Sequence, residues 1–179
     1  MLIYRVPSEP ASKRVSVWRE LKTLGALHLQ QCVCLVPDLP VMERELAHVT
    51  SKIAEFDGDS FVFFVPRLAP TEESRITATF REQRAEEYGD ITTGCEKDLA
   101  KKIEFERYRG NYTVEQANEF SRELEKIQRS YSRIRERDWF DAADGRMEAE
   151  AALAHCRALV TAFQADVDRR TNAAGHDAH

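Results

Sequence analysis

The residues best suited to chemistry lie at the start of the first predicted helix. Ser12, Lys13 and Arg14 would occupy its first turn, where free backbone N–H groups and the helix macrodipole attract anions. Arginine adds two parallel hydrogen bonds to a phosphate. A DNA phosphate or a small oxyanion could bind there, and the alternative is a capped, solvated helix with Trp18 in the core. The candidate anion- or nucleic-acid-binding residues are Arg5, Ser12, Lys13, Arg14 and Arg19.

Two of these arginines cannot share one narrow helix face. Arg14 and Arg19 are five residues apart, which is about 140° of rotation around an α-helix. One of them should therefore contact an anion more than the other. Because Lys13 and Arg14 lie in the first turn, we expect them to contribute more than Arg19.

Five histidines and four cysteines in the chain raise the possibility of a metal site. His28, Cys32 and Cys34 would share one face of an uninterrupted strand, since strand side chains alternate. A closed zinc site needs a fourth ligand, and the cysteines lack paired CxxC spacing. Buried, reduced cysteines are the simpler explanation, above all for Cys156 in an apolar helix stripe. We therefore predict neither a metal nor another cofactor.

Motifs of the common catalytic sites are absent from the sequence. It contains no GxSxG turn, no glycine-rich phosphate loop and no HExxH helix. Paired carboxylates such as Glu86 and Glu87 lie in charge-rich helical segments, where a solvated face explains them. The sequence therefore predicts a protein that binds a partner and is not an enzyme.

Composition favours a folded protein that stays in the cytoplasm. Hydrophobic residues make up 42% and charged residues 32% of 179 residues. The formal net charge of −5 argues against a protein that coats nucleic acid over its whole surface. Residues 1–36 nevertheless carry five basic against two acidic residues. No signal peptide and no run of about 20 apolar residues is found, so we expect no membrane contact.

The first half of the chain alternates between short strands and helices. A strand at 2–6 ends at Pro7, and 26–36 forms one long strand or two short ones. Between them, a helix that Ser12 caps through its side-chain oxygen ends at Gly25. A second helix from Asp38 or Pro40 precedes a strand at 61–65. Val15, Trp18, Leu21 and Leu24 should form the apolar face of the first helix, and Val41, Leu46, Val49 and Ile53 that of the second. This order predicts an α+β fold with a ferredoxin-like split β-α-β unit over residues 1–70.

After Pro70 the pattern becomes helical, which predicts a helical arm over residues 71–171. Thr113 and Gln116 have capping-box spacing before a long amphipathic helix. Its apolar stripe and that of a later helix should pack as an antiparallel long-helix hairpin or small helical bundle. We expect residues 172–179 to be a disordered tail. The two stripes are Phe120, Leu124, Ile127, Tyr131 and Ile134, and Leu153, Cys156, Val160, Phe163 and Val167.

Several short features in a fixed order resemble the amino-terminal region of the chromate-resistance regulators often called the ChrB family. The first half supplies Val6-Pro7, Trp18, Leu24-Gly25-Ala26 and Val36-Pro37. The second half supplies Tyr88, Cys95, Tyr112-Thr113, Glu119 and Arg137-Asp138 before an aromatic pair. No one feature is specific, but their order covers most of residues 1–171.

The resemblance implies a transcriptional regulator of a chromate-efflux operon, acting on operator DNA or on a partner protein as a homodimer. Full-length family members look like two-domain proteins whose carboxy-terminal domain carries chromate sensing. We expect this chain to lack that domain, so that a separate sensor-domain protein is a predicted partner. The first half also resembles the small metal-dependent nucleases of CRISPR adaptation, but Pro7-Ser8-Glu9 replaces their metal-binding Asp. Nuclease activity and a purely protein-binding module are the alternatives.

Overall fold

The computed structural model describes the backbone of residues 1–176 and the side chains of residues 1–173. The chain has an α+β fold, as the sequence predicts, and divides into two compact units, Met1–Phe80 and Arg81–His179. Helix α3 (Pro70–Thr93) begins where the composition changes, and the division falls inside it.

Unit 1 contains a four-stranded antiparallel sheet and two helices. The elements are β1 (Leu2–Arg5), α1 (Ala11–Thr23), β2 (Leu27–Gln30), β3 (Val33–Leu35), α2 (Pro40–Glu55) and β4 (Asp59–Val62). The strand order is β2-β3-β1-β4, so β1 is hydrogen-bonded on both sides. Residues 26–36 form two short strands rather than one, with Gln31 and Cys32 in the turn between them.

The core of unit 1 lies between the sheet and one face of each helix, with Leu2, Tyr4 and Cys34 contributed by the strands. The predicted helix faces are partly wrong. On α1 the buried valine is Val17, whereas Val15 and Trp18 are exposed. On α2 Met42 is buried and Val41 is exposed. Residues three apart on an α-helix differ in direction by about 60°. The four residues predicted for the face of α1 therefore spread over about half of the helix circumference, and one side of the helix cannot bury them all.

The connection from α2 to β4 is sterically demanding. Asp57 has a φ of 60°, in the left-handed region. Gly58 follows, and a Cβ atom there would lie 2.4 Å from the carbonyl oxygen of Arg5. Only glycine therefore lets the chain pass close enough to β1 for β4 to pair with it.

The secondary-structure elements of unit 2 are all helices within its described residues. After α3 come a π-helical segment (Gly94–Leu99), α4 (Ala100–Arg109), α5 (Val114–Arg135) and α6 (Ala143–His176). In the π segment, the carbonyl of Cys95 accepts from Ala100 N–H and, at 3.0 Å, from the Cys156 thiol. The predicted cap of α5 is confirmed, since Gln116 N donates to Thr113 Oγ1 at 3.2 Å.

The two predicted apolar stripes lie in the core of unit 2. The Phe120 and Phe163 rings meet edge to face at 5.1 Å, and Tyr131 donates to Glu150 at 2.5 Å. Residues near the start of α5 therefore contact residues near the end of α6, and residues near the end of α5 contact residues near the start of α6. The two helices thus run antiparallel. The shared core includes Phe120, Leu124, Ile134, Leu153, Cys156, Val160, Phe163 and Val167, with Ile127 and Tyr131 packed against it.

The predicted disordered tail at 172–179 overlaps the end of α6. That helix continues to His176, past the predicted end of the arm at residue 171. Residues 177–179 lie outside the described residues. Within residues 1–176, no helix is long and apolar enough to cross a membrane.

Two glycines give a matched test of the close approach at Gly58. We expect Gly58→Ala to lower the free energy of unfolding by about 2 kcal/mol, because the methyl group forces the chain away from Arg5. Gly89, inside α3, has no atom within 4 Å of its would-be Cβ. Gly89→Ala should therefore stabilise the protein by up to about 1 kcal/mol. Circular-dichroism melts measure the change in stability of both variants. Equal changes for Gly58→Ala and Gly89→Ala would contradict the steric argument.

Candidate functional site

The first candidate residue, Arg5, is held on the sheet by a carboxylate. Its Nη2 donates to Asp59 Oδ2 at 2.7 Å, across the β1–β4 pair. Both side chains are exposed, and such a surface pair contributes little to stability. Arg5 therefore already has an anionic partner.

Ser12 does not cap α1, so that prediction is wrong. The helix begins at Ala11, the cap position is Pro10, and no side chain accepts a capping hydrogen bond. Proline already holds a φ of −70°, close to the helical value, so the helix begins just after it. Ser12 is the second residue of the helix and is exposed.

Lys13 is directed to the carboxyl end of α2. Its Nζ lies 3.5 Å from the Phe56 carbonyl oxygen, 3.6 Å from Asp57 Oδ2 and 5.5 Å from the centre of the Phe56 ring. A cation at a helix C-terminus is favourable because the last carbonyl groups carry partial negative charge. Lys13 therefore links the two helices of unit 1.

Arg14 and Arg19 are exposed, and within the described residues neither side chain makes a hydrogen bond or ion pair. Arg19 shares a shallow groove with Ser12, Thr23 and Lys52, because residues seven apart on a helix lie nearly in line. Arg14 lies on another side of α1. The structure thus brings together Ser12 and Arg19, but not the full predicted set.

Trp18 is not a core residue. Its side chain is 46% exposed, and Lys22 Nζ lies 5.3 Å from the ring centre. The solvent side of α1 therefore carries an aromatic ring next to basic residues, an arrangement that can stack on bases while cations approach phosphates.

Of the three candidate metal ligands, His28 lies on β2, Cys34 on β3 and Cys32 in the turn between the two strands. His28 pairs with Cys34 across the hairpin, while Cys32 is exposed. Burial lowers the pKa of His28 and raises that of Cys34 to about 11, so both are neutral at pH 7. Within the described residues, no group of three His, Cys, Asp or Glu side chains is placed to hold a metal ion.

Sequence reasoning missed a buried polar cluster in unit 2, formed by Arg84, Glu87, Tyr88, Arg137 and Asp138. Arg84 Nη1 lies 3.0 Å and Arg137 Nη2 2.7 Å from Glu87 Oε2. Tyr88 donates to Asp138 Oδ2 at 3.1 Å. Arg84 is 4% exposed, and its Nε has no hydrogen-bond partner among the described atoms.

The electrostatics of the cluster follow from this burial. Burial is the largest cause that lowers the pKa of Arg84, and Glu87 opposes it. Burial also raises the pKa of Tyr88, and the nearby Asp138 carboxylate raises it further, which keeps the phenol a hydrogen-bond donor. Asp138 also accepts from Ala142 N at 3.0 Å and so positions the turn before α6.

One signal in the sequence could have revealed this cluster. Arg84, Glu87 and Tyr88 stand at i, i+3 and i+4, on one face of α3. Tyr88 and the Arg137-Asp138 pair also belong to the features that carry the family resemblance. Charge-rich helices made the ionic residues look solvated, and only packing decides which of them is buried.

The fold and these sites define an α+β protein with a small antiparallel sheet and a helical unit. A family model described as protein ChrB, N-terminal, matches residues 14–174, and the chain belongs to this family. Protein ChrB of Cupriavidus metallidurans is 28% identical over 90 residues. That match covers 50% of this chain and 27% of the relative. No solved structure matches the chain.

Asp138 is the residue on which the buried polar cluster depends. Its side chain is fully buried, so Asp138→Asn should lower the free energy of unfolding by about 2 kcal/mol or more, because the loss of its charge leaves buried Arg84 less compensated. Asp144→Asn, exposed in the first turn of α6, is the control and should cost about 0.5 kcal/mol or less. Urea titrations compare the two, and equal effects would mean that the cluster is not buried.

Proposed function

We propose that this chain is a non-enzymatic, cytoplasmic regulatory domain of chromate resistance that binds operator DNA as a homodimer. The observation that carries the proposal is the family match over residues 14–174. The relative's name is protein ChrB, and the link from that name to chromate-dependent regulation is part of the proposal.

We further propose that unit 1 belongs to the ferredoxin-like class. The element order β-α-β-β-α-β and the sheet order β2-β3-β1-β4 support this assignment, because two split β-α-β halves interlock in that order. Both helices then cover the same face of the sheet, as their shared core indicates.

In this proposal the DNA contact is made by the solvent side of α1. Arg14 and Arg19 are free to bind phosphates, while Arg5 and Lys13 already contact carboxylates. Phosphate contacts position a protein on the duplex without reading bases, so they account for affinity rather than for operator choice. Of the first-turn residues predicted from sequence to bind an anion, the proposal keeps Arg14 and adds Arg19 as a second phosphate contact.

Chromate sensing is assigned to a domain other than residues 1–179. The 90 aligned residues are 50% of this chain but 27% of protein ChrB, so that relative is considerably longer than this chain. In this proposal the chain acts together with a sensor domain, and a separate sensor-domain protein is one form that this partner can take.

Removal of either free arginine should weaken DNA binding for every sequence alike. With DNA from a chromate-operon promoter, we expect Arg14→Gln and Arg19→Gln each to raise the Kd several-fold at low salt. Each should also reduce the slope of log Kd against log salt by about one, as the loss of a phosphate contact requires. Arg75→Gln, whose side chain is paired with Glu72, is the control and should change neither quantity. If wild-type protein does not bind at low salt, the protein-binding alternative replaces this proposal.

The nuclease alternative is tested with the same DNA and with RNA. In the presence of Mg²⁺ or Mn²⁺ we expect both substrates to remain full length, because the proposal gives the chain no catalytic role. Glu9 is the carboxylate nearest to the end of β1 in sequence. Cleavage that needs the metal and disappears in Glu9→Gln would contradict the non-enzymatic function.

A further inference from the structure

A run of apolar residues lies exposed at one edge of the unit 1 sheet. Residues 61–65, the exposed apolar run, are Phe61, Val62, Phe63, Phe64 and Val65, and all five are exposed, with Phe64 at 70%. Strand β4 is the last strand in the sheet order, so its outer edge has no neighbouring strand among the described residues. Soluble proteins rarely leave a long apolar edge strand open, because it can pair with another chain.

The hydrogen-bonding pattern shows which backbone groups face this open edge. Met1 and Phe63 exchange two hydrogen bonds, at 2.7 and 2.8 Å, and so extend the β1–β4 pair by one step. In an antiparallel pair such exchanges occur at every second residue. The N–H and C=O groups of Phe61 and Phe63 therefore face β1, whereas those of Ser60, Val62 and Phe64 face outward.

Charges at the ends of the run point to a second copy of this chain as the partner. Phe63 is the midpoint of the exposed apolar run and also of the span from Asp59 to Arg67. An antiparallel pair of two copies centred on Phe63 would place each Asp59 opposite Arg67 of the second copy. It would also place Phe61 opposite Val65. A pair centred on Val62 would place Asp59 opposite Val65 instead, without this contact between opposite charges of the two copies.

We propose that two copies of this chain pair antiparallel through β4, with Phe63 at the two-fold axis. The outward-facing N–H and C=O groups of Val62 then form hydrogen bonds with those of Phe64 in the second copy. Pro66, which lacks an N–H, ends this ladder of hydrogen bonds. Each copy contributes four strands to one continuous sheet. The Phe61 and Phe63 rings, 6.5 Å apart and stacked, form an aromatic row across the junction. The interface gives the proposed homodimer a defined surface and does not depend on its DNA binding.

Disulfide trapping tests this register in the absence of DNA. Directly opposed residues at a non-hydrogen-bonded position have Cα atoms about 4.5 Å apart, within the range of a disulfide. Cys32 is the one exposed native cysteine among the described residues, so the parent is Cys32→Ser. We expect Phe63→Cys in this parent to form a covalent dimer on mild oxidation. Leu29→Cys is the matched control, because Leu29 is as exposed as Phe63 but lies on β2 at the opposite edge of the sheet.

Three results decide the proposal. Crosslinking of Phe63→Cys no faster than that of Leu29→Cys would overturn it. Faster crosslinking of Val62→Cys would overturn the register centred on Phe63. Sedimentation of Arg67→Glu should show a dimer Kd raised roughly fivefold or more, whereas Arg75→Glu should not change it. Loss of operator binding with crosslinking intact would count against the proposed DNA-binding function alone.

Discussion

The central position of β1 is the constraint on which unit 1 depends. This strand of four residues pairs with β3 on one side and with β4 on the other. Its alternating side chains place Leu2 and Tyr4 in the core beneath both helices. In the strand order β2-β3-β1-β4, β4 has β1 as its one neighbour and lies at an edge, and the register of this pair places Asp59 opposite Arg5. The open apolar edge and the neutralised Arg5 are both consequences of this one placement.

Unit 2 depends on a different feature, a set of buried charged side chains that fixes the geometry of the connection between α5 and α6. Removing Arg84 and Asp138 from water is costly, and their ion pairs and hydrogen bonds compensate only if the geometry is kept. An apolar replacement could be equally stable but would not orient the turn before α6 through Asp138. The cluster therefore serves the specificity of packing more than the total stability.

The proposed DNA-binding surface follows from which basic side chains the fold leaves without an acidic partner. Residues 1–36 contain five basic residues, and two of them, Arg5 and Lys13, contact carboxylates. Arg14 and Arg19 are exposed and, among the described residues, have no such contact. A protein of net charge −5 can bind DNA in this way, because the local field of α1 rather than the total charge acts at short range.

The sequence by itself determined the features that arise from contacts between near neighbours. Pro7, Gly25 and Pro40 delimit elements, Thr113 caps α5, and the stripes of α5 and α6 mark their buried faces. Only the tertiary structure decided that Val17 and not Trp18 enters the core, that His28 lies opposite Cys34, and that Arg84 is buried. Those outcomes depend on partners distant in the chain, and local spacing carries no information about which face or which charge such a partner will cover.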